Sequence, residues 1–391
     1  MIFRTVATGA AALLLAAAVV RTALVEQYAA VDPRRAAAVW PAHPDVELPL
    51  GLMEIGAATH SGQPVAEATI ERMMDAARKA PLESEPFLVR GVQAQLSGNF
   101  RVAGEAFRAA KLRDGRNSAA RYFLAEHYLK QGDAARGLSE LAFLARLVPD
   151  GAVGLGPYIA AYARDPKNAP QLRALFRSDP NLADSTLTTL ARDPANVGLV
   201  QSLADAAQAP VTSPWVGQMV ASLIAAKDYA RARQVWARNA HVEGAANETI
   251  FDPDFKNRVA PPPFAWILTS SSVGLAERGP GGGLRVIYYG QEDGVLASQL
   301  ILLKPGRYRL AMRVGGDPSR VRSLVWTLTC AGSATPFARF PLDPREANRG
   351  WTLEVPAGCP AQTFALSGVS SDMPQEADVT ISGLRLEPNH G

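Results

Sequence analysis

The chain has little of the chemistry from which most active sites are built. Its 391 residues contain two cysteines and five histidines. His43, His60, His127, His241 and His390 form no HxH, no HExxH and no Cys-His cluster, which excludes the common zinc and thiol-nucleophile patterns. There is no GxSxG elbow, no P-loop and no GxGxxG running from a strand into a helix. The glycine-rich GPGGGL at Gly279–Leu284 leads into a strand and reads as a turn. Charge of one sign is also scarce in any one place. The net charge is +3 with both signs scattered, and no Lys/Arg cluster with interleaved aromatics occurs, so nucleic acid is not an expected partner. Neither an enzyme nor a bound cofactor is expected from these absences.

One long apolar run is present. Arg4 precedes an uncharged stretch from Thr5 to Val20, long enough for a secretory signal or a short membrane span. The following RTALVEQYAAV has no good cleavage site, because Arg21 and Tyr28 stand two residues before Ala23 and Ala30. Residues 1–25 therefore read as a signal anchor in preference to a signal peptide, and residues 26–44 as a Pro-broken linker. With Arg4 on the cytoplasmic side of an inner membrane, the bulk of the chain is expected on the exported, periplasmic side.

Beyond the linker the chain is punctuated at intervals. Pro166, Pro180 and Pro194 each follow an aspartate and stand about 14 residues apart. Proline disfavours helix in the residue before it yet suits the first helical position, and aspartate is a good N-cap. Between the pairs, Leu172, Leu175 and Phe176, then Leu182, Leu187 and Leu190, keep roughly helical spacing. Short helices are expected, ending and restarting at Asp165, Asp179 and Asp193.

Upstream, a period of about 34 residues aligns Ala57, Gly91 and Ala125 as small residues, with Gly98 and Gly132 (and Gly62, slightly early) as turns. It aligns Met73, Phe107 and Leu141, then Ala76, Ala110 and Leu144, as apolar positions, and closes units at Pro81, Gly115 and Pro149. On these residues, and on Tyr229, Ala232 and Trp236 in a later partial unit, the region 45–244 resembles the tetratricopeptide repeat. That resemblance implies helix-turn-helix units stacked into an α-solenoid whose concave face binds a protein partner. Between Gly151 and Pro214 the period shortens toward about 28 residues.

After about Gly244 the pattern becomes alternating. LRVIYYG, VLASQLILL, GRYRLAMRV, SLVWTLTCA, WTLEVPAGC, QTFALSGVS and ADVTISGLRLEP are strand candidates separated by turn residues, which predicts an antiparallel β-sandwich over 245–391. Alternation places Trp326 and Cys330 on one face, and Tyr308, Leu310 and Met312 inward with Arg309 and Arg313 outward. Cys330 and Cys359 are expected to form a disulfide outside the cytoplasm, worth about 3 to 4 kcal/mol. The opening FDPDFKNRVAPPPFAW and the strand GRYRL resemble jelly-roll domains of the galactose-binding or carbohydrate-binding-module kind. That resemblance implies sugar contacts, for which Trp266, Tyr288, Tyr289, Arg309, Arg313 and Trp351 are the candidates. It also implies a structural calcium near the first strand, for which Asp252 and Asp254 are the local carboxylates, fewer than a hard cation normally collects.

The whole reads as a membrane helix, an α-solenoid and a jelly-roll β-sandwich. The expected function is a non-catalytic, membrane-anchored envelope scaffold, with a protein on the solenoid and polysaccharide on the sandwich, in surface polysaccharide assembly or export. The alternative is a membrane-tethered protein–protein adaptor with a structural sandwich, and a polysaccharide-acting enzyme ranks third.

Overall fold

The structure is a computed structural model that describes residues 2–61, 65–204, 212–242, 244, 247–316, 321–371 and 375–389. Gly62 and His390 lie outside the described residues. The chain divides into two compact units, residues 1–182 and 183–391.

The first unit is helical. α1 (Ile2–Ala29) is the one helix among the described residues long and apolar enough to cross a membrane. Its C-terminal end packs against α2 (Pro33–Val39) and α3 (Pro44–His60), burying Val25, Ala29, Ala36 and Val46 under Tyr28, Trp40 and Leu50. The stretch read as a linker is therefore the folded base of α1. The Arg21 guanidinium lies 4.2 Å over the Trp40 ring and its Nε donates to the Val39 carbonyl.

Antiparallel helix pairs follow: α3 with α4 (Glu67–Lys79), α5 (Glu85–Leu96) with α6 (Phe100–Arg113), and α7 (Ser118–Lys130) with α8 (Ala134–Leu147). The turns within the last two pairs are set locally. Gly98 and Gly132 take φ of 76° and 79°, which costs other residues strain, and the next residues, Asn99 and Asp133, cap the second helices through Val102 N and Arg136 N. Met73, Phe107 and Leu141 are buried in the second helices as the repeat predicts. Gly91 is small because a Cβ there would overlap the Phe107 ring. In the first pair the expectation for Ala57 is corrected. Ala57 is exposed, and Gly51 is the residue that faces Met73.

α9 (Gly151–Tyr162) and α10 (Ala169–Ser178) continue the array on α8, and α11 (Pro180–Ala191) follows, the division between units falling in its first turn. Asp179 Oδ1 accepts from Leu182 N at 3.2 Å, the expected cap. At Asp165 and Asp193 the restart begins with a 3₁₀ turn, and the two sites repeat one motif. Each aspartate accepts from the amide two residues on, while Asn168 and Asn196 donate back to the carbonyls of Tyr162 and Leu190.

The second unit holds the rest of α11, α12 (Val197–Leu203), α13 (Pro214–Ala225), α14 (Tyr229–Asn239) and two five-stranded antiparallel sheets. The first sheet has the order β1-β4-β9-β6-β7, from Ile267–Leu268, Gly294–Ile301, Gln362–Gly368, Leu324–Cys330 and Pro336–Pro341. The second has the order β2-β3-β10-β5-β8, from Gly274–Arg278, Leu284–Tyr288, Ala377–Pro388, Gly306–Gly316 and Trp351–Val355. Trp326 stacks on Phe364 at 4.3 Å between them, beside Tyr288, Leu296, Leu310 and Ile381. A short helix α15 (Pro344–Arg349) precedes β8. Within this unit α14 packs on the start of the sandwich: Trp236 Nε1 donates to the Pro261 carbonyl at 2.7 Å, and its ring meets Phe251 and Phe264. Arg233 lies buried over Trp236 and Phe264, and burial pulls its guanidinium down to about 10.

Candidate protein-binding and glycan-binding surfaces

In the first unit, the first helices of successive pairs share a surface. α7 presents Tyr122, Glu126 and Lys130. Gln95 of α5 reaches Glu126, and Lys130 pairs with Glu126 at 2.5 Å. From α9, Tyr158 joins them; burial pushes its phenol up, and the Glu126 carboxylate adds to the shift. Beside this strip is a cleft of about 390 Å³ lined by Tyr122, Phe123, Leu144, Val148 and Leu155. Tyr122 and Tyr158 stay 40% and 37% exposed, and of the two Tyr122 lines the apolar cleft. Such an arrangement suits a side-chain anchor from a protein partner. The repeat register located these helices but did not single out the two tyrosines, which occupy positions that the repeat pattern leaves free.

The sandwich residues expected to meet sugar are not brought together. Trp266 and Tyr288 are 4% and 0% exposed, so neither offers a ring face to a ligand, and that expectation is corrected for both. Trp266 Nε1 donates to the Asp252 carbonyl, and its ring packs on Phe255 at 4.7 Å. Tyr288 lies over Gly368 and donates from its hydroxyl to the Glu292 carbonyl. Tyr289, next along, turns outward at 39% exposure, as alternation requires. Trp351 is half-buried, stacked on Phe340 at 5.3 Å with Nε1 on Glu346. Arg309 and Arg313 are exposed on the outer face of the second sheet.

The two carboxylates considered for calcium do not converge. Asp252 Oδ1 accepts from Lys256 N, its Oδ2 lies 4.0 Å from Arg278 Nε, and burial pushes its carboxyl up. Asp254 is exposed and pairs instead with Lys256 Nζ at 3.6 Å. Among the described residues no group of three His, Cys, Asp or Glu is placed to hold a metal ion. Cys330 and Cys359 are bonded to each other, joining the end of β6 to the turn before β9. A shallow groove of about 300 Å³ on the outer face of the first sheet, between Asp293 and Arg339, had no signal in the strand pattern. There the Ser370 hydroxyl and amide hold the Asp293 carboxyl below its usual range.

No protein-family model matches the chain, and no curated protein matches it. Among solved structures it is similar to yeast Tom70, at 14% identity and a TM-score of 0.29, covering 55% of this chain and 47% of that one. It is also similar to the flexible tandem repeat domain of a bacterial cellulose synthase component, at 16% identity and a TM-score of 0.16, covering 41% of this chain and 85% of that one. The chain thus spans about half the length of the Tom70 chain. At such scores neither likeness bears on function, and the helix-pair architecture stands on this chain's own geometry.

Proposed function

We propose that the protein is a non-catalytic, membrane-anchored scaffold on the exported side of the membrane, with a protein partner on its helical repeats and polysaccharide on its sandwich. The observation that carries the reading is the double character of α1. Leu13, Leu14, Leu15, Val19 and Val20 are 57–74% exposed, whereas Val25 and Ala29, on the same helix, are buried in the α1–α3 core. Apolar side chains in a continuous exposed stretch are costly in water and favourable in lipid. The Arg21–Trp40 contact sits where the exposed stretch ends, the residue types that favour a bilayer interface. A cleaved signal peptide would not be expected to supply core residues to the mature fold. The disulfide supports an oxidising compartment.

The protein partner is assigned to the surface around Tyr122 and Tyr158. A photo-cross-linking residue placed at either tyrosine is expected to trap one discrete envelope protein. The same residue at Arg101, an exposed site on α6, is expected to trap none. Equal labelling from Arg101, or no adduct from either tyrosine, would remove that surface from the account.

A further inference from the structure

On β5 the alternation that buries Tyr308, Leu310 and Met312 turns Arg309 and Arg313 outward on one strand, roughly 13 Å apart over four residues. Both side chains are seated over glycines in the left-handed half of backbone space. A Cβ at Gly350 (φ 87°) would come within 2.6 Å of Arg309 Nε, and one at Gly383 (φ 60°) within 3.2 Å of Arg313 Nη2. Arg309 Nη2 also donates to the Arg349 carbonyl. Gly383 lies in the bulge of β10 between Ser382 and Arg385, and beyond the bulge Arg385 stands opposite Ala311 on the same face.

These arginines differ from a third on that sheet. Arg285 is neutralised by Asp378 at 3.1 Å and Glu277 at 3.4 Å. Glu387 is directly across from Arg309 in register, yet among the described residues neither Arg309 nor Arg313 is in an ion pair. Arg309 is instead drawn toward the turn at Arg349 and Gly350. Two guanidinium groups are thus held in place outside any ion pair among the described residues, although Glu387 stands across from Arg309 in register.

We propose that this outer face of the second sheet binds a carboxylate-bearing polysaccharide, with Arg309 and Arg313 each gripping a sugar carboxylate. The proposal rests on the reading of the sandwich as glycan-contacting and adds the chemical class. A planar guanidinium fork matches a carboxylate with two parallel hydrogen bonds, and a pre-seated side chain loses less entropy on binding. The face is an open strand surface with the hydroxyls of Thr352 and Thr380 exposed nearby, which suits an extended polymer a few sugar rings long. The outward positions of β5 and β10 carry no large apolar side chain around Ala311, so the face lacks the desolvated centre of a protein interface.

The test is affinity electrophoresis of the detergent-solubilised full chain through gels containing polygalacturonate or, in parallel, neutral dextran. Retardation by polygalacturonate alone is expected. Arg309→Gln with Arg313→Gln should weaken it at least about tenfold, and the matching double Lys variant should restore it only in part. Arg285→Gln, already neutralised on the same face, should leave it unchanged, and thermal melts establish that each variant is folded. Retardation by dextran that survives the double Gln variant would overturn the charge class while leaving the glycan reading intact. Equal binding of polyglutamate, or of phosphatidylglycerol vesicles, would overturn it in favour of a general anion surface. Retardation by neither polymer would remove the glycan reading together with the proposal.

Discussion

Glu140 shows how single side chains hold the helical unit in register. It is buried on α8 and accepts from Lys111 of α6 and, at 2.6 Å, from Arg121 of α7, whose guanidinium also covers the Phe143 ring. One carboxylate thus ties three consecutive helices. A buried ion pair adds little when compared with a well-packed apolar replacement, but removing one member leaves the other charged and unpaired. Glu140→Ala is therefore expected to destabilise the protein by about 3 to 5 kcal/mol. Chemical denaturation followed by circular dichroism at the helical signal measures it. A cost near that of an exposed substitution, below about 0.5 kcal/mol, would show that the triad is not what aligns these helices. None of this is visible in the sequence, where Glu140, Arg121 and Lys111 are ordinary helix residues at unrelated spacings.

At the level of elements, Asp-Pro is the clearest local signal in the chain, and it reaches further than the repeats. Asp32 and Asp343 also cap helices that begin with proline, α2 and α15, although the repeat interval points to neither. The capping chemistry is the same there; only the regular spacing that draws attention to it is missing. Strands were legible where alternation was long, as in β5 and β10. β7 escaped because it is an edge strand with proline at both ends, and β1 because it has two residues. The candidate glycan residues divide on the same grounds. Alternation placed Arg309 and Arg313 correctly, whereas nothing local says that Trp266 is closed over by Phe255, Trp326 and Phe364. The Asp-Pro sites themselves are not equivalent. Asp179 is buried, caps α11 and pairs with Arg146 at 3.3 Å, whereas Asp193 is exposed and caps a 3₁₀ turn. Asp179→Ala should cost about 1 to 2 kcal/mol and Asp193→Ala about half as much, with Pro180→Ala close to neutral. Thermal melts of the three variants check the order. A silent Asp179→Ala beside a strongly stabilising Pro180→Ala would mean that the helix does not start there.

For the molecule as a whole, hydropathy and fold give different weight to the two halves of α1. By apolar character the span runs from Gly9 to Ala29, yet the structure commits Val25 and Ala29 to the core formed with α2 and α3. On the anchored reading proposed above, the membrane-embedded part ends near Val20, and the helical repeats begin on a base continuous with α1. Removing residues through Ala30 would uncover Ala36 and Val46, both fully buried, and leave Trp40 without its guanidinium partner. Retention of this helix is the central claim, because the anchored reading and the integrity of the α1–α3 base depend on it together. Mass spectrometry of the mature protein recovered from carbonate-washed membranes tests it most directly. A membrane-retained chain whose peptides include residues 2–29 is expected, and a chain released by the wash and beginning near residue 18 or 31 would contradict retention.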